Sequence, residues 1–135
     1  MFKLADLKPG EIFYDLGCGD GKTVIFAAKN FNAKAIGIEM AIPLFIICKI
    51  RQILNFNIHL QFKWKNLFNE DLSKADVIYF FGMPKTIKNK LKEKIKREAK
   101  PGARVISYVF KVEGWEPEII DKPGKNELAV YLYKI

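Results

Sequence analysis

Residues 12–21 read IFYDLGCGDG, and the architecture of the chain follows from them. A short apolar run ends in Asp15, a loop with Gly17, Gly19 and Gly21 follows at once, and TVIFAAKN behind it reads as the start of a helix. Strand, glycine turn and helix in that order make the corner at which α/β proteins cradle nucleotide-bearing ligands.

Glycine spacing and the neighbouring charge separate the ligands that use such a corner. A dinucleotide site wants G-x-G-x-x-G, but its third glycine would fall on Lys22, so the loop here is G-x-G-x-G. A P-loop wants G-x-x-x-x-G-K-S/T; Gly21, Lys22 and Thr23 supply the tail, but its first glycine would have to be Leu16. S-adenosylmethionine has no phosphate and carries a sulfonium and an α-ammonium group. A carboxylate just before the glycines attracts an ammonium and repels a pyrophosphate, so Asp15 selects this third ligand. Gly17, Cys18, Gly19 and Gly21 are the loop residues expected to surround it.

A second acid stands in the matching place. Residues 34–39, KAIGIE, read as the next buried strand and end in Glu39, 22 positions after Gly17. An acid about 20 positions after the loop, at the tip of the second strand, accepts ribose hydroxyls.

The chain has 135 residues, 50% hydrophobic and 28% charged, as expected for one soluble globular domain spanning 1–135. AIPLFIICKI is too short to span a membrane and is followed closely by Arg51. With no signal-peptide series at the start, the expected location is cytoplasmic, and Cys18 and Cys48 are expected as free thiols. They have no C-x-x-C spacing and His59 is the only histidine, so no metal site is expected. The net charge is +8, and its excess lies in the segment from Lys85 to Arg104. There Ile87, Leu91, Ile95 and Ala99 recur every fourth position. This predicts a helix over 85–100 with a narrow apolar stripe and a basic outer face. No aromatic residues interleave its lysines, which favours a solvated face over a nucleic-acid footprint.

Apolar runs and helical segments alternate along the whole chain. Strands are expected near 12–16, 35–39, 58–63, 76–80, 104–109, 118–121 and 128–134. Helices are expected over 21–30, from Pro43 to about 55, and from about Pro84 to the stop at Lys100, Pro101 and Gly102. This alternation implies a parallel sheet with right-handed crossovers, closed by an antiparallel pair around the turn KPGKN. The fold class is α/β, a mixed seven-stranded sheet with helices on both faces.

A ligand in such a sheet lies at the carboxyl ends of the strands. The tips offer Asp15 and the loop, then Glu39 and Met40, then Asn66 and Leu67 after the third strand. The fourth strand adds Phe80, Phe81 and Pro84. Asn66 can pair with an adenine edge, and Leu67 with Phe80 can sandwich the purine. Phe81, Pro84 and Tyr108 are the candidates for an acceptor pocket.

At this point YDLGCGDGK, AKAIGIE, NLF-x-x-DLS-x-ADVIY, FFGMP, KPGARVIS and GWEP resemble the class I S-adenosylmethionine-dependent methyltransferases. The nearest likeness is to the small seven-strand protein-lysine methyltransferases related to the ATP synthase c-subunit lysine methyltransferase. The non-SET histone-lysine methyltransferases are a more distant look-alike. The resemblance implies a three-layer Rossmann-like fold, S-adenosyl-L-methionine as methyl donor and a protein lysine as acceptor, with Asp15, Gly17, Gly19, Glu39 and Asn66 as cofactor residues. Two departures stand out. Only eleven residues precede Ile12, where relatives carry a segment that folds over the cofactor, and Asn66 stands where many relatives have an aspartate.

The reading is therefore a protein-lysine N-methyltransferase. Its alternatives are an RNA methyltransferase using the basic helix, and a catalytically silent cofactor-binding module that needs a partner. FGMP replaces the N-P-P-Y or D-P-P-Y of amide and base N-methylation, and no Pro-Cys pair offers a carbon-5 cytosine nucleophile.

Overall fold

Short apolar runs bounded by turns become the strands of one sheet in a computed structural model describing residues 1–135. In chain order the elements are β1 (Ile12–Leu16), α1 (Lys22–Phe31), β2 (Lys34–Glu39), α2 (Ile42–Leu54), β3 (Leu60–Trp64), β4 (Val77–Phe81), α3 (Lys85–Glu98), β5 (Arg104–Tyr108), β6 (Ile119–Asp121) and β7 (Val130–Lys134). The sheet order is β3-β2-β1-β4-β5-β7-β6. The first five strands run parallel, while β7 pairs antiparallel with both β5 and β6. The order reverses between β1 and β4, so a crevice opens at their carboxyl ends.

Local chemistry sets the boundaries. Gly21 takes the left-handed conformation that starts α1, and Asn32 takes it again to end the helix, its N–H donating to the Ala27 carbonyl. Pro43 sits in the first turn of α2, where its missing N–H costs nothing. The third strand starts two residues later than expected, because a turn from Ile58 N–H to the Asn55 carbonyl holds the chain out of the sheet. The fifth strand stops at Tyr108, because Val109 turns to φ 84°, outside the extended region.

Two apolar layers flank the sheet. One joins Phe13, Phe62 and Tyr79 to Val24 and Ala27 of α1 and Cys48 of α2. The other joins Leu16, Ile38, Ile78 and Phe80 to Leu91 and Ile95 of α3. Residues before β1 fold against the first layer, with the Phe2 ring packed on Phe13, Phe26 and Phe31.

The α3 helix differs from its sequence pattern. Its outer face is not uniformly basic: Lys88 and Lys94 are buried. Lys88 Nζ donates to the Lys111 carbonyl at 2.9 Å, and Lys94 Nζ reaches Glu98 at 2.7 Å. Long aliphatic stems widen the apolar stripe while the ammonium heads find partners. Ile87, expected in that stripe, is instead partly exposed at the crevice.

Candidate active site

The glycine loop spends its amides on the protein. Gly17 and Cys18 both donate to the Ile38 carbonyl at 2.9 Å, Gly21 donates to the Cys18 carbonyl at 3.0 Å, and Gly19 donates to Glu39 Oε2 at 2.8 Å. A phosphate cradle needs such N–H groups free and pointing at the anion. This loop is thus a bracket that sets the strand tips rather than an anion nest. Positive φ at Gly17 (82°), Gly19 (57°) and Gly21 (81°) lets it fold so tightly.

Two carboxylates meet at the tips of β1 and β2. Glu39 is well bonded: besides Gly19, its Oε1 accepts from the backbone N–H groups of Met40 and Ala41, each at 2.8 Å. Asp15 is almost fully buried. In the sheet register it lies opposite Gly37 on one side and Tyr79 on the other. Burial, and secondarily the Glu39 carboxylate, push its pKa up to about 8, with no hydrogen bond to offset them. A buried carboxyl facing a cleft without a countercharge is a receptor for a cation. The positive charge of a bound ammonium offsets both causes. The residues present therefore fit S-adenosylmethionine: an acid for its ammonium, a second acid for its sugar and an apolar slot for its base.

Two cavities share Gly17. One, about 280 Å³, is lined by Ile38, Glu39, Met40, Lys65, Asn66, Leu67, Phe68 and Ile87, and suits a nucleoside. The other, about 360 Å³, is lined by Asp15, Cys18, Gly19, Asp20, Thr23, Tyr79, Phe81 and Tyr108, and suits the amino-acid end of the donor together with an acceptor. A larger cavity, about 440 Å³, lies at the opposite end of the sheet around Arg104 and Asp76. Four of its charges are already paired: Arg104 reaches Glu11 at 2.6 Å, and Lys100 reaches Asp76. Volume alone does not mark the site.

The structure thus brings Asp15, Gly17, Cys18, Gly19, Glu39, Met40, Asn66, Leu67, Phe81 and Tyr108 to the two cavities. Three expected residues stand elsewhere. Phe80 is buried in the α3 layer, because alternation along β4 sends it to the face opposite Phe81. Pro84 caps α3. Gly21 turns the chain into α1, and a Cβ there would meet the Phe62 ring at 2.5 Å. Asn66 lines the nucleoside cavity. Its Oδ1 accepts from Phe68 N–H at 3.0 Å, which leaves its NH₂ to donate into the nucleoside cavity.

Tyr79 and Ile87 are the chief residues that the sequence reading missed. Tyr79 lies two positions before Phe81 and shares its face, but only the pairing with β1 shows that this is the Asp15 side. Nothing in a helix pattern marks Ile87 as the residue that turns toward the crevice. Burial, then the Asp15 charge, then Tyr108, push the Tyr79 phenol far above its ordinary pKa. The Cys18 thiol is likewise driven up, first by burial and then by Asp15, so it is an inert wall and not a nucleophile.

Comparison with known proteins agrees with this geometry. Residues 15–119 match the ANTKMT methyltransferase domain. The chain is 37% identical to a protein-lysine N-methyltransferase of Saccharolobus islandicus, over the full chain and 86% of the relative. It is 30% identical to the ATP synthase C-subunit lysine N-methyltransferase of Xenopus laevis, over 89% of the chain but only 53% of that relative. A crystal structure of an RNA methyltransferase from Salinibacter ruber with S-adenosyl-L-homocysteine superposes with a TM-score of 0.90 at 29% identity, covering 99% of this chain and 86% of that one. With the acids, the loop and the paired cavities all in place, the chain belongs to the ANTKMT methyltransferase domain family of class I S-adenosylmethionine-dependent methyltransferases.

Proposed function

We propose that this enzyme methylates the ε-amino group of lysine in a protein substrate. The observation that carries the reading is Asp15, a buried carboxyl with no countercharge, set beside an aromatic opening made by Tyr79, Phe81 and Tyr108. The 37% identical relative, named for lysine methylation, supports the choice of acceptor.

S-adenosylmethionine supplies a methyl group on a sulfonium, already a good leaving group. The chain's own residues bind, orient and dry the reactants. Asp15 and Glu39 fix the two ends of the donor. The aromatic walls exclude water from the incoming side chain. A free lysine amine titrates near about 10.4, and an apolar pocket lowers that value because it disfavours the ammonium. The aromatic faces accept a methylated ammonium product as readily as the neutral amine. No side chain in the opening is placed as a general base: Tyr79 is held too high, Asp15 serves the donor, and Asp20 is paired with Lys22 at 3.2 Å and Arg51 at 3.5 Å.

The Salinibacter ruber enzyme raises RNA as a second acceptor class. The cations of α3 weaken that reading here, because two are buried and others already have anionic neighbours. Lys88 and Lys94 are buried, Lys85 pairs with Glu113 at 3.0 Å, and Arg97 pairs with Glu98 at 3.2 Å. A reducing, cytoplasmic compartment is part of the same proposal. Methyl-labelled donor added to a lysate, followed by peptide mass spectrometry, tests the reading. Label on lysine is the expected result, and label confined to RNA overturns it.

A further inference from the structure

The α2 helix is amphipathic in the wrong sense for a monomer. Only Cys48 is buried, while Ile42, Ile46, Ile47, Ile50, Ile53 and Leu54 are each 39–75% exposed. Positions 46, 47, 50, 53 and 54 recur at the a, d and e spacing of a helix that packs on another helix. Phe56, 87% exposed, extends the stripe at one end, and Met40 and Trp64 extend it at the other. With those three, nine large apolar side chains stand exposed together, where an ordinary monomer scatters such residues singly. They offer the apolar centre around which a stable interface, about 800 Å² per partner, is built.

We propose that this face pairs with a second copy of the same chain across a two-fold axis, α2 antiparallel to α2. Spacing and apolar character both suit a helix partner. An isologous contact sets the patch against itself, so it must carry little charge. Arg51 is drawn aside to Asp20 at 3.5 Å, and Lys49 folds back onto Gln52 at 3.0 Å. The antiparallel register centred near residue 48 places Ile46 against Ile50 of the second copy, Ile42 against Leu54, and Met40 against Phe56. It also opposes the two helix dipoles. An anionic membrane is the other surface that takes such a helix, but it calls for cations around the apolar face. This chain's basic excess lies on α3, across the sheet.

Sedimentation equilibrium of the full chain tests the pairing. The expected mass is twice that of the chain. Ile50→Glu and, separately, Ile53→Glu halve it while circular dichroism stays unchanged, and Ile120→Glu, on exposed β6, leaves it doubled. Mixing Ile46→Cys and Ile50→Cys chains under mild oxidation gives a crosslinked dimer, which reads the register without introducing a charge. A wild type that stays monomeric at its solubility limit overturns the proposal. So does a dimer that survives both glutamate variants, or a monomer that pellets with phosphatidylglycerol vesicles.

Discussion

The backbone N–H of Gly19 donates to Oε2 of Glu39 at 2.8 Å, tying the glycine loop to the tip of the second strand. Glu39 Oε1 also accepts from Met40 and Ala41. Three of the roughly four acceptor positions of the carboxylate are therefore occupied within the protein. Glu39→Gln replaces one oxygen by a donor that faces N–H groups. The expected loss is about 1–2 kcal/mol of stability and at least about tenfold in S-adenosylhomocysteine affinity, the latter corresponding to ~1.4 kcal/mol. Denaturant titration and calorimetry measure the two, and an unchanged affinity would place the sugar elsewhere.

Asp15 makes both folding and binding depend on pH. Its folded pKa of about 8 stands above the unfolded carboxyl value, which is about 3.9. Over that window the folded chain keeps a proton that the unfolded chain releases, so this group's contribution to stability falls as pH rises from about 4 toward about 8. Ammonium binding needs the ionised form. Affinity for S-adenosylhomocysteine should rise up to about tenfold per pH unit between pH 6 and pH 8, then level off. Calorimetry across that range should show the slope in the wild type and none in Asp15→Asn.

Gly37 lies inside β2, where a Cβ would stand 2.7 Å from the Phe62 ring and 2.8 Å from Cys18 Sγ. Gly37→Ala overfills that contact and should cost about 1–3 kcal/mol. Phe62→Leu in the same chain should recover part of the loss. Additive effects of the two substitutions in denaturant melts would show that the ring is not the obstacle.

Glu70 anchors the turn that leads from β3 to the nucleoside cavity. Although buried, it accepts from Tyr14 at 3.0 Å, Lys63 at 2.6 Å and Lys65 at 2.9 Å. Burial pushes its carboxyl up, and the bonds from Lys63, Lys65 and Tyr14 more than reverse this, holding it below the usual carboxylate range. Its stabilisation is thus present above the unfolded carboxyl value, about 4.3, and is lost as pH falls further. Glu70→Ala should cost about 2–3 kcal/mol at neutral pH and flatten the acid limb of a stability profile. A full acid limb in the variant would assign it to other carboxyls.

Phe81 and Tyr108 meet edge-on, with ring centroids 5.3 Å apart, at the mouth of the cavity that holds Asp15. If they line the acceptor path, Tyr108→Ala should lower kcat/KM for the protein substrate by about tenfold or more and leave S-adenosylhomocysteine affinity near its wild-type value. Equal losses in both would move Tyr108 to the donor side.

Much of this was legible in the chain. Strand, glycine turn and helix are local signals, and the acids Asp15 and Glu39 follow from where the apolar runs end. β4 shows where legibility stops. VIYFF is apolar on both faces, so alternation gives no sign of which residues look toward which layer. Only the pairing with β1 sends Tyr79 and Phe81 to the Asp15 side and Phe80 beneath α3. On α3 the lysine stems fill space between the helix and the loop at Lys111, and no helical wheel contains that loop.

Element order, the glycine corner and the two acids at neighbouring strand tips are written in short stretches of residues, because turns, caps and apolar periodicity act over a few positions. Three properties arose only when distant segments packed together: Asp15 is buried without a partner, Glu39 clamps the loop, and α2 turns its isoleucines outward. Each depends on what approaches from elsewhere in the chain, since charge and burial are set by that surrounding and not by neighbours in sequence.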